Sequence, residues 1–193
     1  MDPIHSTASI FRLKGNQAGL YKYAPTSKFA DFWFSLPKMG LVPQKSSIEP
    51  RRIVDLLSGV LMLELNPDSG VYSIRLSGTG NSGRWGFDAT NRHYLSFTPP
   101  QQHGAISSKF AKLMEHPCGL VMVSNELYTS GRIVLTETIL FPMRTPDHKG
   151  HILFGLITAE PDEDRAVAGD LLACLHYAIS AAHFINIGAG IPD

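Results

Sequence analysis

The sequence predicts an α+β fold: a five-stranded antiparallel sheet with helices on one face, plus N-terminal and C-terminal helices. Three observations predict it. A strand of alternating character, Val71 to Ser77, follows the turn residues Asn66-Pro67-Asp68-Ser69-Gly70, so it folds back on the apolar run before it. Three further strand-like runs follow one another between Leu120 and Ala159, which is the pattern of an antiparallel meander. An irregular helical crossing separates the pair from the triplet, and the natural cavity of such a sandwich lies between crossing and sheet.

Residues 1–26 read as an N-terminal arm without clear periodicity, where Ile10, Phe11 and Leu13 are suited to a short strand or a partner contact. The first helix begins near Ser27, because Phe29, Phe32, Trp33 and Leu36 stand at i, i+3, i+4 and i+7 on one face. Pro37 and Gly40 end it, and Ile53, Leu56 and Leu57 form a second short stripe beyond Pro43 and Pro50. Val60 to Leu65 is the first strand and Val71 to Ser77 the second. Ala105, Ile106, Phe110, Leu113 and Met114 predict a helix over residues 104–116, closed by Pro117 and Gly119. Strands follow at Leu120 to Tyr128, Ile133 to Phe141 and His151 to Ala159, with turns at Ser130-Gly131 and Pro146-Asp147-His148-Lys149-Gly150. The domain so defined spans 27–160. In the tail, 161–193, Asp162, Glu163 and Asp164 read as the start of a helix carrying Leu171, Leu175, Ala178, Ile179 and Ala182 as its apolar stripe.

Composition narrows the function classes. Lys plus Arg equals Asp plus Glu at 17 each, so the chain as a whole carries no basic footprint for nucleic acid or for an anionic membrane. Only 18% of the residues are charged, which points to a folded domain with some covered surface, hence a partner or a homodimer. No apolar run approaches the roughly 20 residues that span a bilayer, and the first residues lack a secretory pattern, so the expected location is the cytoplasm. Cys118 and Cys174 belong to no C-x-x-C pattern and are expected to be idle thiols.

Gly78, Gly80 and Gly83 match the G-x-G-x-x-G spacing of a dinucleotide fingerprint. That motif needs a buried parallel strand before it, a helix opening at the third glycine and an acid further on for the ribose. The preceding strand alternates like an antiparallel one, Gly86 follows closely, and the later position reads Thr98-Pro99-Pro100. A nucleotide-dependent enzyme using the Gly78 to Gly83 loop is therefore the less favoured reading. The histidines give no nucleophile motif: His103 and His116 flank the crossing helix, and His176 and His183 share one face of the expected tail helix, where packing is the simpler role.

Trp33, Pro43, Ile48, Pro50, Leu56 and Leu57, then Arg75-Leu76-Ser77-Gly78-Thr79, Gly86, Asp88, Thr90 and Arg92, and Phe141-Pro142, together resemble a bacterial PAS-domain family formerly catalogued as a domain of unknown function. The likeness runs from about Lys28 to Glu160. Glu49 replaces the family's usual aspartate and Asn91 its usual glycine, and asparagine is among the residues that accept a left-handed backbone. The resemblance implies a PAS-like core and a non-enzymatic sensory module that binds a small molecule, docks a signalling protein partner or dimerises. It names no cofactor. Residues placed to wall a cavity are Tyr72, Ile74, Leu76, Trp85, Phe87, Tyr94, Leu113, Met122, Ile139 and Phe154, with plain core packing as the alternative. Arg75 and Arg84 are candidates to contact an anion, the alternative being an ion pair or a loop carbonyl. The expected function is thus a sensor, or else an interaction adaptor whose cavity is filled by side chains.

Overall fold

A computed structural model describes residues 20–145, 151–159 and 174–192. Ile10, Phe11 and Leu13, the turn at 146–150, the acids Asp162, Glu163 and Asp164, and Leu171 lie outside the described residues. Among the described residues the sheet has six strands rather than five: β1 (Val60–Asn66), β2 (Val71–Ser77), β3 (Cys118–Tyr128), β4 (Ile133–Arg144), β5 (His151–Ala159) and β6 (Cys174–Asn186). Their order is β2-β1-β5-β4-β3-β6, and every neighbouring pair is antiparallel.

From Cys174 to Asn186 a strand stands where the expected C-terminal helix was to carry Leu175, Ala178, Ile179 and Ala182, while the expected start of that helix lies outside the described residues. β6 pairs along β3 from Cys118↔Asn186 to Tyr128↔Cys174, with register shifts opposite Val123/Ser124 and Leu127/Tyr128. At the first shift Ser180 is the additional residue, since Ser124 pairs with Ile179 and Val123 with Ala181. A bulge of this kind moves the next inward position by one. Ile179, Ala182 and Phe184 therefore pack against one core cluster while Ile185 and Ile187 enter the other. The inward positions 179 and 182 fall three apart, a spacing that imitates a helix. Pairing with β3 satisfies a row of backbone groups that an edge strand leaves open, and this tertiary gain outweighs local propensity.

Helices cover both faces of the sheet, not one. On the outer face lie α1 (Ala24–Ser35) and 3-10 turns at Lys45–Ser47 and Pro50–Gly59. Phe29, Ala30, Phe32, Trp33 and Leu36 of the α1 region pack there with Met62, Ile139, Phe141, Met143 and Phe154. Glu137 of β4, 1% exposed, accepts the backbone N–H groups of Lys22 at 2.8 Å and Tyr23 at 3.3 Å, so a carboxylate of the sheet ties down the start of the helix. At the other end the Lys38 ammonium donates to the carbonyls of Trp33, Phe34 and Leu36 at 3.1, 2.7 and 3.2 Å, which closes α1 just beyond Pro37.

On the inner face lie α2 (Thr79–Trp85), a 3-10 turn at Tyr94–Phe97 and α3 (Pro100–Glu115). α3 opens four residues before the expected Gly104 because proline at the first helical turn sacrifices no intrahelical N–H bond. Asn91 has φ +66°, the left-handed value that its place in the turn requires. That turn edges β2, with Asn91 N–H donating to Ile74 O at 2.7 Å and Ile74 N–H to Arg92 O at 2.8 Å.

Candidate functional site

The inner layer, between β1 to β5 and the crossing segment, is where a ligand cavity was expected. Tyr72, Ile74, Trp85, Tyr94, Leu113 and Met122 meet there in one buried cluster, and Phe87 packs against it half-buried. Rings fill the space. Phe110 of α3 stands edge-on to Tyr72 at 5.2 Å and tilted against Tyr94 at 5.5 Å, while Phe97 stacks on Trp85 at 5.6 Å. Burial pushes the Tyr72 phenol up to about 12 and the Cys118 thiol up to about 12, so both are neutral groups at physiological pH.

Three of the cavity candidates lie elsewhere. Ile139 and Phe154 point to the outer face and belong to the cluster under α1, since strand side chains alternate and these positions fall on the other parity from Leu140 and Leu153. Leu76 is 45% exposed. The register shift between Met62 and Leu63 leaves Arg75 as the additional residue of β2, so Leu76 pairs with Met62 instead of continuing the inward series of Tyr72 and Ile74.

The two anion candidates also part company. Arg75 is solvent-facing and pairs with Glu64 on the neighbouring strand at 3.6 Å. Arg84 is buried, 4% exposed, on α2. Its Nη2 donates to Asn81 Oδ1 at 2.8 Å, and its Nε lies 3.8 Å from Glu126 Oε2. Glu126, 2% exposed, also accepts a 2.6 Å bond from the Tyr128 hydroxyl. Asn81 in turn donates to the carbonyls of Gly59 at 3.2 Å and Val60 at 3.0 Å, so the network spans from α2 to the start of β1 and to β3. A buried charge persists only when paired and hydrogen-bonded, and here each charge has both.

Asn81, Ser124, Glu126 and Tyr128 were not among the residues singled out from sequence. Met122, Ser124, Glu126 and Tyr128 are buried at alternate positions of β3. A lone acid on the apolar parity of a strand was the signal available for Glu126. Ser124 Oγ, Trp85 Nε1 and Tyr72 Oη are buried on or beside this layer with no hydrogen-bond partner among the described residues.

Gly78 and Gly80 have a packing role. A Cβ at Gly78 would lie 2.3 Å from the carbonyl oxygens of both Leu57 and Ser58, and one at Gly80 would lie 3.0 Å from Ser58 O. These two positions let α2 rest on the end of the Pro50–Gly59 turn. β2 before them is antiparallel to β1, which is not the setting of a dinucleotide fingerprint. Gly83 meets nothing within 4 Å. Gly83→Ala is therefore expected to stabilise the fold by about 0.5–1 kcal/mol through helix propensity, whereas Gly78→Ala destabilises it by about 2 kcal/mol or more. Thermal melts of the two variants check this, and a destabilised Gly83→Ala protein would contradict it.

His103 Nε2 lies 3.0 Å from Thr98 O, a local contact at the start of α3. Among the described residues no group of three or more His, Cys, Asp or Glu is placed to hold a metal ion. No helix among them is long and apolar enough to cross a membrane.

A family model described as a PAS domain matches residues 21–158. Comparison with curated proteins found no significant match. Among solved structures the chain is similar to a light-oxygen-voltage domain studied with a flavin analogue, at 12% identity and TM-score 0.44, covering 60% of this chain and 87% of that one. It is similar to a PAS domain of a Colwellia psychrerythraea protein, at 13% identity and TM-score 0.42, covering 58% and 97%. It is also similar to an RNA-binding light-oxygen-voltage receptor, at 14% identity and TM-score 0.43, covering 70% and 38%.

Proposed function

Because this chain belongs to the PAS domain family, we propose that it is a non-enzymatic sensory and regulatory module that works by docking a signalling protein, with a homodimer as its own quaternary state. One observation carries the reading. The layer between the crossing segment and the sheet is occupied by Tyr72, Trp85, Tyr94 and Phe110, each 7% exposed or less, with Phe110 in ring contact with both tyrosines and Trp85 stacked on Phe97. A ligand entering there must displace a ring from a packed interior, at a cost of several kcal/mol. Exchange of signals through the surface needs no such displacement.

A second reading has its own support. Tyr72 Oη, Trp85 Nε1 and Ser124 Oγ are buried polar groups without partners among the described residues. Leaving such a group unmade costs on the order of 1–3 kcal/mol, and a small polar molecule held in the inner layer would satisfy them.

Native mass spectrometry of freshly purified protein, followed by denaturing extraction and an absorbance spectrum through the haem and flavin bands, separates the two. The adaptor reading expects the chain's own mass, as a dimer, with no retained molecule. A stoichiometric small molecule or chromophore released on denaturation would replace it with the ligand sensor.

A further inference from the structure

We propose that the side chain of Gln102 is a clasp that couples the inner helical layer to the C-terminal strand, so that the seating of α3 sets how firmly β6 is held. The inference goes beyond the docking role and holds whatever the module senses.

Gln102 stands in the first turn of α3, where its own N–H donates to Pro99 O at 2.9 Å. Its carboxamide reaches across to one residue of β6. Nε2 donates to Ile179 O at 3.0 Å, and Oε1 accepts the Ile179 N–H at 2.9 Å. An adjoining antiparallel strand makes this same pair of bonds to an edge residue, so a single side chain here stands in for a strand. Only the carboxamides of Asn and Gln carry a donor and an acceptor side by side in this way. The clasp closes on the bulge of β6, beside Ser180, whose hydroxyl donates to Val123 O at 3.1 Å.

A second contact follows on the same face of α3. The Lys109 ammonium sits 5.3 Å from the centroid of the Phe184 ring. Positions 102 and 109 are i and i+7 on one face, so side chains two turns apart reach β6 while the helix itself rests on β3 and β4. Its inward side carries Ile106 and Phe110, and Phe110 touches both Tyr72 and Tyr94. Any displacement of those rings moves the helix whose first turn grips β6. β6 has β3 on one side and this clasp on its bulge, and it leads directly into residues 187–192.

Amide hydrogen exchange across a double-mutant cycle tests the coupling, using the full chain. Gln102→Ala is expected to speed exchange at Ile179 and along β6 roughly tenfold or more while β1 and β5 keep their protection. Gln102→Glu, which keeps the acceptor and loses the donor, gives the same loosening. Phe110→Leu, which reseats α3 from inside, is expected to speed β6 exchange in the Gln102 protein and to add little in the Gln102→Ala background. Ile106→Val serves as the milder perturbation if Phe110→Leu lowers the folded population. Equal acceleration by Phe110→Leu in both backgrounds, no response of β6 to it, or an Ile179 amide unaffected by Gln102→Ala would each overturn the proposal.

Discussion

Replacing Glu126 with leucine is expected to destabilise the protein by about 3–5 kcal/mol, and replacing Arg84 with methionine by a similar amount, because each leaves a buried partner charge behind. Both side chains are almost wholly out of water, at 3% exposure for Glu126 and 5% for Arg84, and Arg84 Nε lies 3.8 Å from Glu126 Oε2. With its counter-charge gone, the Arg84 guanidinium would remain between α2 and β3 in an apolar layer, held by the Asn81 carbonyl. The hydroxyl of Tyr128 would lose its 2.6 Å bond as well. The double variant Arg84→Met with Glu126→Leu removes both charges, and a buried ion pair exchanged for apolar side chains of like volume is often near neutral. It is expected to recover much of the loss, short of the share owed to Asn81 and Tyr128. Urea unfolding of the four proteins gives the coupling energy directly. Additive losses would mean that the pair does not act as a unit.

That network also shows where sequence reasoning reached its limit. Hairpin, meander and crossing were legible because turn residues and period-two alternation are local signals, and the first helix was legible from Phe29, Phe32, Trp33 and Leu36. Face assignment was not. Ile139 and Phe154 read as apolar strand residues like any other, and only the register of a central strand decides which layer they enter. The bulges hid two more assignments: at Arg75 one additional residue turned Leu76 outward, and at Ser180 one additional residue gave β6 a helical spacing. Asn91 was the opposite case, since its capacity for a left-handed backbone was readable from residue type and is realised at φ +66°. For the candidate site, the inward aromatics were readable in bulk. The pairing of Arg84 with Glu126, 42 positions apart in the sequence, depends on how α2 is seated over the sheet, which no local pattern encodes.

Trp33→Ala is expected to cost about 3–5 kcal/mol, the usual range for deleting a large buried aromatic, and to act on the outer face rather than on the candidate site. Trp33 is fully buried and stacks on Phe141 of β4 with ring centroids 4.5 Å apart and planes 13° from parallel. Its indole N–H points at Met143 Sδ, 3.2 Å away, and the Lys38 ammonium that closes α1 lies 4.7 Å from its ring. Removing the ring thus strips α1 of its main contact with β4 and of one wall of its C-terminal cap. For a chain of this length the loss corresponds to a fall in Tm of roughly 10 °C. Trp33→Phe keeps a stacked ring, loses the N–H and part of the area, and is expected to fall between the two. The chain has two tryptophans, so Trp85 remains as a fluorescent reporter of the inner layer in both variants. Its emission should hold its folded value up to the lowered Tm, because the sheet separates it from the cavity left under α1. A melt within about a degree of the original would mean that α1 is held by Glu137 and Lys38 and not by its aromatic face. An early shift of Trp85 emission would mean that the two layers answer to each other through the sheet.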